Sequence, residues 1–445
     1  MTAPNERAFL ALLRWYPRRW RERNERVVLG TMLDDAEARG QRIPDASMRR
    51  AAVVQGLGAR LDRRTAIIAA SLAVACGLAG MPLLFVGGGS IWLIAGFGVA
   101  PLLMLSSIAA TLRTRGLLSS VEALAALSLA LPATALATLA ALSWSVGFDE
   151  ADAGITRGWF AQAFIWFAAV AWVAATAWGA VAVGGMLRAL AISRVWARVG
   201  GAALTGVAYP FLAITLMNPA SGTLLALASL GAAILLTRPV PVAGDAARPT
   251  ALAPRTPRPA RLSVLICALV STVAGGGSVV FALTGSGWTG GAMDSTEAMR
   301  AGIVAGFVSA LPYCASIGLM RAQNHRAIDA WGPPSLIALA LLIAATENVI
   351  GNGDGNRIVW ALLIAALPLG GAVAWTLAVG RWAPRVVQTT IAALCGASVL
   401  IIGASIQALP FVLPIAALVL AIGEARRLGG RRARRAGPPR AAAAA

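Results

Sequence analysis

Lysine is missing from this chain, histidine occurs once, and only 13% of the residues are charged. Without lysine there is no P-loop nucleotide site. The single histidine, His325, stands in a short basic loop with no neighbouring His or Cys to share a metal, and no H-E-x-x-H occurs. The four cysteines (Cys76, Cys267, Cys314 and Cys395) fall inside apolar runs without C-x-x-C spacing. They read as small packing residues rather than as a zinc site or a disulfide framework. There is no G-x-S-x-G, and no pair of carboxylates stands at catalytic spacing inside an apolar run. A membrane hydrolase or transferase would need a His/Asp/Glu cluster, and one histidine with two peripheral glutamates does not supply it. The sequence therefore predicts a protein that is not an enzyme and that holds no cofactor or metal.

What the chain has in quantity is apolar length. Of 445 residues 58% are hydrophobic, and the mean hydropathy is +0.73. A soluble chain has about 25% charged residues, so this composition belongs to a polytopic membrane protein. A transmembrane helix needs roughly 20 mostly apolar residues. Runs of that kind cover 65–87, 90–110, 118–143, 159–187, 200–217, 221–237, 262–284, 301–320, 333–351, 358–380, 386–404 and 409–423. The pairs 200–217/221–237 and 386–404/409–423 are each parted by a few residues and read either as hairpins or as single broken spans. The expected fold is thus an all-α bundle of about twelve spans, with ten as the fallback.

Arginine supplies every one of the 38 basic residues, a uniformity that reads as genomic composition rather than as function. Cytoplasmic loops collect arginine. With residues 1–64 placed inside, 35 of the 38 arginines fall on the inner side, and only Arg157, Arg300 and Arg357 fall outside. The acidic loops at 147–154, 292–299 and 351–356 are all outer. This places both termini in the cytoplasm and the protein in the cytoplasmic membrane as a multi-pass chain. No signal peptide is expected, because a charged stretch of about 64 residues precedes the first apolar run.

The domain reading follows: 1–64, a helical cytoplasmic domain; 65–237, a first bundle of six spans; 238–261, a Pro/Ala/Arg linker; 262–423, a second bundle of six; 424–445, a disordered polybasic tail. Six plus six invites comparison with major-facilitator transporters. The longest outer loop, however, follows the third span in one half and the first span in the other. The loop "TLRTRGLLSS" lacks the Gly-Asp-Arg-Gly-Arg type of motif, and no internal repeat is found.

Ionisable groups inside a membrane often mark ion or proton pathways. Two stand in the spans, Glu122 in the first turn of the third and Glu347 near the outer end of the ninth. Both are close enough to an interface to be plain boundary carboxylates. The functional alternative is that Glu347 and Asn348, followed by Asp354, line an outward vestibule for a cation. The fourth apolar run places Trp159, Trp166, Trp172 and Trp178 on one helix. Trp92, Trp144, Trp288, Trp360 and Trp382 suit interfacial anchoring, whereas Trp166 and Trp172 are too deep for it. They read as lipid-facing or interhelical packing, or as a stacking surface for a lipid-like or aromatic cargo. The glycine runs at 86–90 and 274–278 read as sites of close helix packing or bending.

In residues 1–64 three short amphipathic helices can be drawn. The first covers 5–15, with Phe9, Leu10, Leu12 and Leu13 inward. The second runs from Pro17, suited to a first helical turn, to Arg39, with Gly40 as cap and Leu29, Met32, Leu33 and Ala36 on one face. The third starts near 48, is capped by Asp45 or Ser47, turns Val53, Val54, Leu57 and Leu61 inward, and runs on toward the first span through "DRRT". The domain carries fourteen arginines against eight acids. Acids at 34, 35 and 37 interrupt the basic surface and no recognition helix stands out, so nucleic acid is not the expected partner. Arginine interleaved with Trp and Tyr fits anionic lipid headgroups.

The stretch "LLRWYPRRWRERNERVVLGTMLDDAEARG", followed by "AAVVQGLGARLDRR", resembles the N-terminal module of a group of actinobacterial multi-span membrane proteins, akin to permease-prefix domains. The resemblance rests on Leu12, Leu13, Tyr16, Pro17, Trp20, Arg21 and Arg23; Asn24 and Glu25 stand where Tyr and Gly are commoner in that pattern. It covers about 64 residues and implies a cytoplasmic regulatory or assembly module. Tyr16, Pro17, Trp20, Arg21 and Arg23 form the candidate corner through which residues 1–64 would contact lipid or a protein partner. The expected function is that of a non-enzymatic membrane protein with such a module. The alternative is a permease-like carrier of an apolar or cationic small molecule.

Overall fold

The computed structural model describes residues 5–85, 94–188, 192–216, 219–237, 258–290, 292–322, 326–350, 364–373, 375–376 and 409–435. Among these there is no strand, and the fold is an all-α bundle. The helices are α1 (Glu6–Leu13), α2 (Arg18–Ala38), α3 (Ala46–Arg60), α4 (Arg63–Phe85), α5 (Ala100–Thr114), α6 (Ser120–Asp152), α7 (Phe164–Arg188), α8 (Arg194–Leu216), α9 (Pro219–Leu236), α10 (Arg258–Trp288), α11 (Ser295–Ser309), α12 (Leu311–Arg321), α13 (Ala327–Ile350), α14 (Ile364–Val373) and α15 (Leu409–Arg435). A π-helical turn, Ile94–Val99, leads into α5, and a single turn, Trp159–Gln162, precedes α7.

The first three helices share one apolar cluster. Phe9, Leu13, Leu29 and Ala36 are its buried centre, with Leu10, Tyr16, Trp20, Met32, Leu33 and Met48 packed around them. Pro17 stands at the N-cap of α2, one position ahead of the first turn. Gly40 takes φ +66°, and its N–H and that of Gln41 return to the carbonyls of Glu37 and Ala36, closing α2 with the left-handed cap that glycine permits. Asp45 caps α3 by accepting from the Met48 N–H at 2.7 Å.

Two expectations for α3 are corrected. Its buried positions are Ala52, Gly56 and Gly58 rather than Val53, Val54 and Leu57, although Leu61 just beyond it is buried as expected. The reason is close approach: a Cβ on Gly56 would lie 2.6 Å from Trp15 Cβ, and one on Gly58 would lie 2.4 Å from Ser120 Cβ. Nor does α3 run on into the first span. The chain breaks at Leu61–Asp62, and Asp62 starts α4 afresh by accepting from the Thr65 N–H at 2.9 Å.

Among the described residues seven helical stretches are long and apolar enough to cross a membrane: Arg63–Gly80, Ser120–Asp152, Phe164–Arg188, Ala260–Gly287, Ser295–Arg321, Ala327–Val349 and Leu409–Leu428. Leu225–Ile234 and Ile364–Val373 are shorter apolar helices. The chain is thus a multi-pass membrane protein. Of the twelve expected runs, 386–404 lies outside the described residues. The run 90–110 is divided between the π turn and α5, and 301–320 is divided at Ala310, where Pro312 opens α12. The runs 200–217 and 221–237 are separate helices, α8 packing on α7 and α15 while α9 packs on α4 and α5. The basic segment expected to be disordered from 424 begins as helix, because α15 continues to Arg435. Arginine favours helix, and Arg427 bonds Glu424 one turn back at 2.6 Å.

Alanine dominates the interior: Ala66, Ala70, Ala109, Ala110, Ala123, Ala126 and Ala130 are buried where α4, α5 and α6 meet. Small residues let helix backbones approach closely in a membrane, where no hydrophobic gain drives association. The α7–α8 contact is the tightest: a Cβ on Gly179 would fall 1.8 Å from Thr205 Oγ1, and one on Gly201 would fall 2.6 Å from the Gly179 carbonyl. Gly275, in the second glycine run, faces Pro414 in the same way, and the first run lies outside the described residues.

Candidate functional site

The corner between α1 and α2 is built by stacking. Tyr16 lies on Trp20 with ring centroids 4.1 Å apart and planes 21° from parallel. Burial pushes the Tyr16 phenol above its usual pKa. Trp15 points the other way, seated against Gly56, and its carbonyl accepts from Arg60 Nε at 3.1 Å. This fastens the corner to the end of α3, beside the start of α4.

The result is an arginine niche, a cavity of about 370 Å³ lined by Arg14, Tyr16, Pro17, Arg18, Arg21, Arg60, Asp62, Arg64, Thr65 and Ile68. Five guanidinium groups meet one carboxylate, and Asp62 Oδ1 is already committed to Thr65. Arg18 pairs with Glu22 at 3.0 Å on the exposed side, and Arg14 lies 5.4 Å over the Trp15 ring. Among the described residues Arg21 Nε is buried with no hydrogen-bond acceptor. Like charges gathered at one site repel one another, weakly where water reaches them, and an anion seated here would offset that repulsion. Of the expected corner residues, Tyr16, Pro17 and Arg21 line the niche, Trp20 backs it, and Arg23 points to solvent on the open face of α2. Arg60, Arg64, Thr65 and Ile68 were not singled out from the sequence. Their only signal was the charge in "RLDRRT" directly ahead of the first apolar run.

Glu122 is a clamp. It closes a capping box with Ser119 at the start of α6 and is 8% exposed. Arg188 from the end of α7 meets it at 2.8 Å, and Arg194 and Arg198 from the start of α8 approach to 3.3 and 4.0 Å. Arg188 also donates to the Leu117 carbonyl at 3.1 Å. The carboxylate therefore ties three helix ends at the base of the bundle. At the first residue of α6, Ser120 Oγ donates to Gln55 at 2.8 Å and accepts from Arg113, docking α3 on the same base.

The other intramembrane candidates are dispersed. Glu347 is half-buried near the end of α13, and Asn348 Nδ2 donates to the Ala344 carbonyl of its own helix at 2.8 Å. Asp354 and His325 lie outside the described residues, and among those described no group of three His, Cys, Asp or Glu could hold a metal. Trp166 is 73% exposed on the outer surface of α7. Trp172 is different: its Nε1 donates to the Gly206 carbonyl of α8 at 2.7 Å. Pro210 explains that bond, since a proline lacks the N–H that would otherwise take the carbonyl four residues back.

Trp172, Trp144, Phe164, Tyr209 and Pro210 wall a cavity of about 420 Å³ between α6, α7 and α8. A second cavity of about 250 Å³ reaches inward to α5 and α9, and the two share Ala137, Tyr209 and Ala213. Trp144, expected as an interfacial anchor, is 43% exposed and also forms part of this wall, its ring centroid 4.8 Å from that of Phe164. Comparison with protein families, with curated proteins and with solved structures finds no match to this chain.

Proposed function

We propose that this protein is a non-enzymatic, multi-pass component of the cytoplasmic membrane whose N-terminal module reads the anionic lipid surface and passes its state to the helical bundle. The observation that carries the reading is the arginine niche, which joins the corner Tyr16-Pro17 to the first turn of α4. Its wall runs from guanidinium groups to the apolar, 47% exposed Ile68, the gradient met by a headgroup phosphate above an acyl layer. The docking of α3 on Ser120, beside the Glu122 clamp, provides a rigid path from the niche to α6, α7 and α8. In this reading the module is of the permease-prefix kind, both termini are cytoplasmic, and a protein partner with an acidic segment is the competing occupant.

The test uses the full chain in nanodiscs of phosphatidylcholine with or without phosphatidylglycerol, with retained lipids counted by native mass spectrometry. Arg21→Gln with Arg64→Gln should lower phosphatidylglycerol retention roughly thirtyfold, taking about 1 kcal/mol for each basic group near the surface. Unchanged retention would overturn the reading. Orientation is tested separately with single cysteines in a cysteine-free background. Positions 152 and 294 should label from outside, and positions 245 and 430 should not. A permease-like role is favoured by one observation, the paired cavities, and only for apolar cargo, because their walls carry no charged side chain.

A further inference from the structure

We infer that the paired cavities among α5–α9 are a binding site for a neutral, lipid-like molecule, an apolar body that carries a hydrogen-bond-accepting oxygen such as an ester carbonyl. The inference stands apart from the niche and does not need it. The volumes, about 420 and 250 Å³, fall in the range of small-molecule sites of about 300–1,000 Å³ once the shared wall at Ala137 and Tyr209 is taken as their junction. The walls hold no Asp, Glu, Arg or His, so an ion would be seated there without compensation.

The chemistry of the occupant follows from donors that lack acceptors. Trp178 is 7% exposed, lines the inner cavity, and its Nε1 has no partner among the described residues. Ser229 Oγ, across the same cavity, is likewise buried and unpartnered. Threonines nearby show the usual escape: Thr134 and Thr138 donate back to the carbonyls of Ala130 and Thr134 on their own helix. An indole is a donor only and cannot reach its own backbone in this way. One turn and a half away Trp172 has the carbonyl that Pro210 frees on Gly206. Trp178 has nothing equivalent. An unpaired donor in a hydrocarbon surrounding costs several kcal/mol, so an alkyl chain alone would fill the space and leave that cost standing. A ligand oxygen removes it.

The experiment uses the full chain in lipid nanodiscs and two photoactivatable probes, a diacylglycerol with a diazirine on one acyl chain and a diazirine-bearing alkane without oxygen. The diacylglycerol should label the peptides containing 133–144 and 205–213. Ala137→Trp, at the junction, should remove that labelling, and Ala213→Leu is the second blocking variant if Ala137→Trp does not fold. Trp178→Phe combined with Ser229→Ala should cut diacylglycerol labelling about fivefold or more, taking the value of one neutral hydrogen bond, and leave the alkane unchanged. The inference is overturned by labelling confined to the outer face around Trp166, by insensitivity to both blocking variants, or by equal loss of both probes. Modification of Ala137→Cys by a charged, membrane-impermeant thiol reagent would also overturn it, since the cavity would then be aqueous.

Discussion

The arginine niche and the paired cavities are alike in one respect and opposite in another. Both hold hydrogen-bond donors in excess of acceptors, Arg21 Nε in one and Trp178 Nε1 in the other. In the niche the excess is charge, at a site open to water, so salt and solvent can stand in for an anion. In the cavities the excess is neutral and lies among apolar walls, where a seated molecule with an oxygen can supply the acceptor. The same deficit therefore selects an anion at the base and an uncharged oxygen inside the bundle. The niche should lose its lipid as ionic strength rises, while labelling in the cavity should not respond.

The largest effect expected from a single change falls on the cavity side. Gly179→Val puts a branched side chain where even a Cβ would stand 1.8 Å from Thr205 Oγ1. It should cost about 3 kcal/mol by forcing α7 and α8 apart. Cavity labelling should vanish while phosphatidylglycerol retention at the niche persists, measured alongside the melting temperature in one detergent. Loss of both together would mean that the two regions are one cooperative unit.

A smaller effect is expected where the regions meet. Glu122→Gln removes the charge that holds Arg188, Arg194 and Arg198, whose side chains are 30%, 64% and 48% exposed. Fully buried pairs cost about 3–5 kcal/mol to break, and solvation of these arginines lowers the expectation to about 2 kcal/mol. The melting temperature should fall, and the fall should persist in high salt. No change would show that the arginines merely surround a solvated carboxylate.

How much of this was readable in the sequence depends on how local each feature is. The stripe Leu29/Met32/Leu33/Ala36 and the left-handed cap at Gly40 are set by neighbours within a turn, and both are found where the sequence places them. The buried face of α3 was misread because Trp15 and Ser120 select glycine over valine there, and neither is near in sequence. Arg60, Arg64 and Ile68 join Tyr16 and Arg21 only after α3 folds back on the corner. Trp166 and Trp172 look equivalent in the sequence and are separated by the proline of another helix, which leaves Gly206 a free carbonyl for one of them.

That carbonyl gives a finer test of the cavity. Trp172→Phe keeps an aromatic wall and removes the bond to Gly206, at about 1 kcal/mol. Labelling of the cavity by the diacylglycerol probe should change little, because Trp172 shapes the site and its donor is already used. A loss as large as that from Trp178→Phe with Ser229→Ala would move the ligand's acceptor to the outer cavity and away from Trp178.

The smallest effect belongs to the module alone and separates its folding from its niche. Asp45 accepts from the Met48 N–H at the start of α3, and chiefly this bond, then the Ser47 hydroxyl, holds its carboxyl below the usual pKa. A carboxylate whose pKa is depressed by folding adds stability that is fully present above its unfolded pKa. That stability is lost as the pH falls through the folded value, once the group is protonated. Acidification below the ordinary aspartate range should therefore loosen α3, seen as faster amide exchange at Met48 and Arg49 in the full chain. Asp45→Asn retains a capping oxygen and should abolish this pH dependence while keeping the helix. If exchange at these amides in the wild-type chain is flat across that pH range, the cap contributes no linkage. The module's hold on α6 would then rest on Gly58, Gln55 and Ser120, at the face where niche and bundle meet.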